Sequence, residues 1–256
     1  MNQKLSKILE LFLFVILISC ITYLIFSSNK KTNKGVIKMI EITGNKLLPV
    51  SEYLSFTKLD DSTQYRTLNL FSIKEKFEKH PYIKKVDLED LGNQIVKVYL
   101  TEKKLEAVLI SSGEPHFISD EFQILPMLPN TKYVDLPVIS NLANDQKVQL
   151  LSYLKTDEIK QSFRIIEAMK LTNESLYKRL SEINLRNGGD IVLTFSGLKP
   201  PVLFGKGEAA KKMVYLDLML NGMTNGSSLA DSSEYIDLRF ANEIYLGSAE
   251  KIGLSE

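Results

Sequence analysis

From Leu11 to Asn29 the chain carries no charged residue, and the run Leu11-Phe12-Leu13-Phe14-Val15-Ile16-Leu17-Ile18 continues through Ile21, Tyr23, Leu24, Ile25 and Phe26. At ~1.5 Å per residue a helix of about 19 residues covers roughly 28 Å, the thickness of a bilayer's hydrocarbon core. The pattern predicts a transmembrane helix over 11–29, preceded by a short tail at 1–10. Ser27 to Lys34 is polar and rich in Lys, Asn and Ser, so 30–35 is expected to be a linker.

Beyond the linker the period changes. Val36, Ile37, Met39, Ile40 and Ile42 predict a strand that stops at Gly44-Asn45. Pro49 and Ser51 open a short helix with Tyr53 and Leu54 on its apolar side. Ser72-Ile73-Lys74-Glu75 matches a capping box and starts a second helix, which ends before Pro81. Tyr82 to Leu88 and Gln94 to Thr101 then read as two strands with Gly92-Asn93 in the turn. The order over 36–104 is βααββ, with two helices expected on one face of a three-stranded sheet and Ile83 and Val98 facing them.

From 105 to 247 the chain reads as short strands punctuated by turns: Ala107–Ile110, Pro115–Ile118, Val138-Ile139, a hairpin of Ile183–Arg186 and Ile191–Phe195 about Gly188-Gly189, and Val202–Phe204. Ile159, Phe163, Ile166 and Met169 are spaced as on one face of a helix over Asp157–Leu171, and a second helix is expected at Glu208–Leu220. Tyr235–Phe240 and Ile244–Leu246 are the last strands before a tail at 248–256. The class is therefore α+β, and this second domain is expected to be mostly antiparallel β with two helices.

Charge changes the picture little. Charged residues make up 25% of the 256 and the net charge is +1, which gives no footprint for nucleic acid. The single cysteine, Cys20, lies in the apolar run and excludes an internal disulfide framework. Leu17-Ile18-Ser19-Cys20 also resembles a lipobox, which would make the chain a lipoprotein lipidated at Cys20. Against that, the next six residues are Ile-Thr-Tyr-Leu-Ile-Phe rather than a polar tether, and no Ala-x-Ala cleavage site follows. Lys4 and Lys7 precede the span while Lys30, Lys31 and Lys34 follow it, so charge alone does not orient it. A short leading tail with the bulk behind it is the layout of a signal anchor, which puts the N-terminus in the cytoplasm and the bulk outside it.

Candidate chemistry is sparse. The two histidines, His80 and His116, are far apart and in no metal-ligand spacing, and His80 before Pro81 reads as a turn residue. Gly205-Lys206-Gly207 lacks the rest of a phosphate-binding loop. Asp87, Glu89 and Asp90 read as a solvated hairpin turn rather than a paired-carboxylate centre. No catalytic, cofactor or metal residue is expected, and no small-molecule substrate. A membrane-tethered cell-envelope hydrolase is the competing reading.

Several stretches, in order, resemble the FtsQ/DivIB family of bacterial division proteins. Ile40-Glu41-Ile42-Thr43-Gly44-Asn45 is similar to the opening of a POTRA (polypeptide-transport-associated) domain, and His80-Pro81-Tyr82-Ile83-Lys84-Lys85-Val86 to the family's "H-P-W-I-x-x-V". Val98-Tyr99-Leu100-Thr101-Glu102 with Ala107, Ser119-Asp120-Glu121-Phe122 with Leu136-Pro137-Val138-Ile139, and Tyr235-Ile236-Asp237-Leu238-Arg239-Phe240 follow. Lys103-Lys104-Leu105 lacks a proline usual there, Phe122 stands where the family has glycine, Phe240 where it has tyrosine, and no tryptophan follows near Ser248. The resemblance implies a POTRA-like βααββ module at 36–104 and an FtsQ-type β domain at 105–247. It also implies a non-enzymatic, single-pass protein of the inner (cytoplasmic) membrane at the division septum. Its partners would be division proteins of the FtsB/FtsL type, with others reaching the POTRA module. They would be held at the last strands through Tyr235, Arg239, Phe240, Ile244, Tyr245, Leu246 and Gly247, which otherwise simply close the domain's own sheet.

Overall fold

The computed structural model describes residues 12–23, 36–61, 63, 68–143, 148–222, 226–240 and 242–247. Residues 12–23 form a helix, α1, that includes Cys20. The rest of the predicted 11–29 span lies outside the described residues, and among those described no helix is long and apolar enough to cross a membrane.

The first globular unit is β1 (Met39–Thr43), α2 (Val50–Thr57), α3 (Leu70–Glu78), β2 (Ile83–Gly92) and β3 (Ile95–Glu102), with strand order β1-β3-β2. β3 runs parallel to β1 and antiparallel to β2. Alternation in β3 sends Val96, Val98 and Leu100 inward, where they share one core with Tyr53 of α2 and Ile73 and Phe77 of α3. Two local expectations shift. Asn69, not Ser72, caps α3, its side chain accepting the Ser72 N–H at 2.8 Å, because asparagine caps as well as serine and frees Leu70 to join the helix. Asp87, Glu89 and Asp90 lie within β2 rather than in its turn; Asn93-Gln94 makes the turn, both with positive φ as a tight two-residue hairpin requires.

The second unit has one nine-stranded sheet. Its strands are β4 (Leu105–Ser111), β5 (Glu114–Ser119), β6 (Ile124–Leu125), β7 (Val138–Ser140), β8 (Leu180–Asn184), β9 (Ile191–Phe195), β10 (Val202–Gly205), β11 (Tyr235–Asp237) and β12 (Tyr245–Gly247). They lie in the order β12-β11-β10-β9-β8-β7-β4-β5-β6. Five neighbouring pairs are antiparallel, but β4–β7, β7–β8 and β10–β11 are parallel, so the sheet is more mixed than expected. Parallel neighbours need a long crossover, and helices supply two of them: α4 (Asp157–Thr172) and α5 (Glu174–Arg179) between β7 and β8, α6 (Ala209–Asp217) and α7 (Gly226–Asp231) between β10 and β11.

Among the described residues four α-helices thus replace the two expected. Asn173 ends α4 and caps α5, accepting the N–H groups of Ser175 at 2.9 Å and Leu176 at 3.2 Å. The second expected helix ends at Asp217 and widens into a π turn over Leu218–Gly222. The core of this unit lies between the sheet and the helices, around Leu109, Ile139, Ile183, Leu193, Ile166 and Met213.

The two units share packing. Leu105, Phe117 and Leu125 belong to the core that holds Val98 and Phe77. Tyr82 bridges them: its hydroxyl donates to the Pro126 carbonyl at 2.9 Å and accepts the Leu128 N–H at 3.0 Å.

Candidate partner-binding edge

A sheet of nine strands has two edges, and only one is open among the described residues. At β6 the edge is covered: Ile124 N–H donates to Ser152 at 2.9 Å and Leu151 N–H to Ile124 at 2.8 Å. At the other end β12 pairs with β11 alone, in the register Tyr235↔Gly247, Ile236↔Leu246 and Asp237↔Tyr245. Its outer N–H and C=O groups are of the kind to which a second chain can add.

Opposed residues on neighbouring strands point to one side of the sheet. Ile236 and Leu246 face the helices; Tyr235, Asp237, Tyr245 and Gly247 face the other way. A Cβ on Gly247 would come within 2.2 Å of the Tyr235 ring, so the glycine is what lets that ring lie across the strand. Phe240 and Tyr245 are about half exposed and meet edge to face, their centroids 4.9 Å apart at 72°. Tyr245 donates its hydroxyl to Glu243, and that bond pushes its pKa up.

Arg239 plays a different part from the free anchor expected of it. Its guanidinium donates to Asp237 at 3.0 Å and 2.6 Å and to Asp190 at 3.0 Å. Asp237 is buried, and the hydrogen bond from Arg239 holds its carboxyl below the usual range. Gly205 turns with φ +69, and a Cβ there would lie 2.8 Å from the Arg239 side chain, so the turn after β10 is built around this arginine. Arg239 therefore fastens the edge to its own sheet. Lys212, also buried, donates to the carbonyls of Phe204 at 2.8 Å and Lys206 at 2.9 Å and so braces the same turn.

On the helix side, Ile244 and Leu246 join Tyr215, Leu218, Met219 and Leu229 around an apolar groove of 350 Å³ beside the edge strand. Leu218 and Leu229 are 56% and 49% exposed. The groove was missed in the sequence: Leu218 fell within the helix expected at Glu208–Leu220, and Leu229 in a stretch to which no element was assigned. The seven residues expected at the edge thus divide three ways: Tyr235, Phe240 and Tyr245 on the open face, Ile244 and Leu246 at the groove, Arg239 and Gly247 holding the shape.

His80, read as a turn residue, is buried at 2% exposure among Tyr53, Phe56 and Tyr82, with Nδ1 accepting the Tyr82 N–H at 3.1 Å. Burial, and then the nearby Lys103 charge, push it down to about 4, so it is neutral core. Among the described residues no three His, Cys, Asp or Glu side chains come together as a metal site.

No protein-family model matches the chain. It is similar to the cell division protein FtsQ of Geotalea daltonii, with 21% identity over 242 residues, 94% of this chain and 86% of that one. It is also similar to the cell division protein DivIB of Clostridium acetobutylicum, with 29% identity over 89 residues, 35% of each.

Proposed function

We propose, from the premise that the chain belongs to the FtsQ/DivIB family, that it is a non-enzymatic scaffold of the bacterial division machinery that captures partner chains by strand addition at β12. The observation that carries this reading is the asymmetry of the large sheet: one edge is covered by its own chain, while among the described residues β12 lies open, with aromatic side chains on one side and an apolar groove on the other. Aromatic residues that bury much area at little entropic cost are the usual anchors of such contacts. The partners are taken as division proteins of the FtsB/FtsL type.

The βααββ unit at 36–104 is read as a POTRA domain and 105–247 as the FtsQ-type β domain. The apolar run at 11–29 is read as a single membrane anchor with the bulk outside the cytoplasm. The test replaces Phe240 and Tyr245 with alanine in the fragment 36–256 and measures circular dichroism beside capture of FtsB- and FtsL-type segments from the same organism. Both side chains are half exposed, so folding should persist while capture falls by at least about tenfold, as loss of a hot-spot pair does. Full capture by the folded variant would place the interface elsewhere.

A further inference from the structure

The small sheet also has two edges, and they differ in a way that assigns a role to one of them. β2 carries Lys84, Lys85, Asp87, Glu89 and Asp90 along its ten residues, and Lys84 is tied to Glu121 of the second unit at 2.6 Å. Rows of charge guard an edge strand against pairing. β1 has one charge in five residues, Glu41, whose exposed side chain makes no ion pair or hydrogen bond among the described residues. Met39 beside it is 50% exposed, while Ile40 and Ile42 turn the other way and are only partly covered by the core of the unit. Among the described residues the only strand beside β1 is β3.

We propose that β1 is a second docking edge, and that it takes an extended segment lying close to the membrane in another membrane-anchored chain. This rests on the membrane-anchored reading above. Ten chain steps lead from Asn29, at the end of the apolar run, to Met39, and a fully extended chain of that length spans at most ~35 Å. The start of β1 is thereby confined to a layer next to the bilayer. A segment that follows directly on another chain's span is held in the same layer, at high effective concentration, whereas a soluble chain is not. The strand chemistry narrows it further. Apolar residues at alternate positions would extend the layer of Ile40 and Ile42, and a lysine or arginine between them would meet Glu41 on the open side.

The experiment uses the full chain in its native cells, with a photo-crosslinking amino acid at Met39 and, in a parallel strain, at Tyr245; the linked peptides are sequenced. The expected Met39 adduct falls within about 20 residues of the partner's membrane span, a distance set by the same chain reach. Glu41→Lys should reduce that adduct by at least about tenfold, because it guards the edge and reverses the charge, and leave the Tyr245 adduct unchanged. A Tyr245 adduct with none at Met39 overturns the proposal and leaves the β12 reading standing. So does a Met39 adduct to a soluble protein, to a segment far from any span or to another copy of this chain, or one indifferent to Glu41→Lys. Loss of both adducts, or recovery of the protein outside the membrane fraction, overturns the functional reading itself.

Discussion

Glu102, the last residue of β3, is where the first unit concentrates its polar bonding. Its carboxylate accepts the N–H of Lys46 at 2.8 Å, the N–H of Leu47 at 3.0 and 3.1 Å to its two oxygens, and the hydroxyl of Tyr53. It therefore ties the end of the central strand to the loop after β1 and to α2. Tyr53 is fully buried, and burial followed by the carboxylate pushes its pKa up, which keeps the hydroxyl a donor. In Glu102→Ala the exposed Lys46 N–H recovers water, but the Leu47 N–H and the Tyr53 hydroxyl do not. Two such donors left without a charged acceptor cost about 2–4 kcal/mol in all. For a fold of this size that lowers Tm by about 5–15 °C.

Tyr53→Phe removes one donor and leaves the two amides in place, so about 1–2 kcal/mol is expected. Because both changes remove the same bond, the double variant should fall short of additivity by about 1 kcal/mol. Urea unfolding of the fragment 36–256 and its three variants, followed by circular dichroism, gives all four stabilities. A Glu102→Ala cost below about 1 kcal/mol, or an additive cycle, would refute the hub assignment.

His80 sets an acid limit. Its pKa falls from 6.5 in the unfolded chain to about 4 in the fold, so between those values the unfolded state binds more protons. Stability from this group is complete above pH 6.5, declines as pH drops through the window and levels off below 4, a loss of about 3 kcal/mol. Urea midpoints at pH 7 and 4.5 should separate less in His80→Phe than in the parent; equal separations would contradict the neutral, buried assignment. Phe122 has φ +69 and stacks on Phe163 at 4.5 Å, so the ring offsets a conformation that favours glycine. Both small substitutions lose the stack, and Phe122→Gly should be more stable than Phe122→Ala by about 1 kcal/mol in the same assay; the reverse order would show that the turn is unstrained.

What was legible in the sequence was what neighbouring residues decide. Val96, Val98 and Leu100 alternate and form β3; Ile159, Ile166 and Met169 share a face and form α4; Tyr235 and Leu246 lie in short strands near the places their patterns gave. The rest depends on partners far along the chain. Arg239 looks like a surface anchor until Asp190, 49 residues earlier, is placed beside it. The parallel joins of β7 with β4 and β8 leave no mark in their own residues, because a strand's pattern records which face is buried and not which neighbour it meets. The 350 Å³ groove needs Leu218, Leu229 and Leu246 from three separate segments. His80 does sit in the turn its place before proline suggested, its carbonyl accepting the Ile83 N–H at 3.0 Å, but its burial depends on Tyr53 and Phe56, brought from α2, as well as on nearby Tyr82.

The claim that this chain serves the division machinery through its open edge is tested most directly by imaging. The full chain fused to a fluorescent protein at its N-terminus, and the same fusion with Phe240 and Tyr245 replaced by alanine, would each be expressed as the sole copy in dividing cells of the source organism. The parent should gather in a band at the division site, and the variant, made to the same level, should leave that band weakened and the cells elongated. An even signal around the envelope from the parent in cells that divide normally would contradict a role in division.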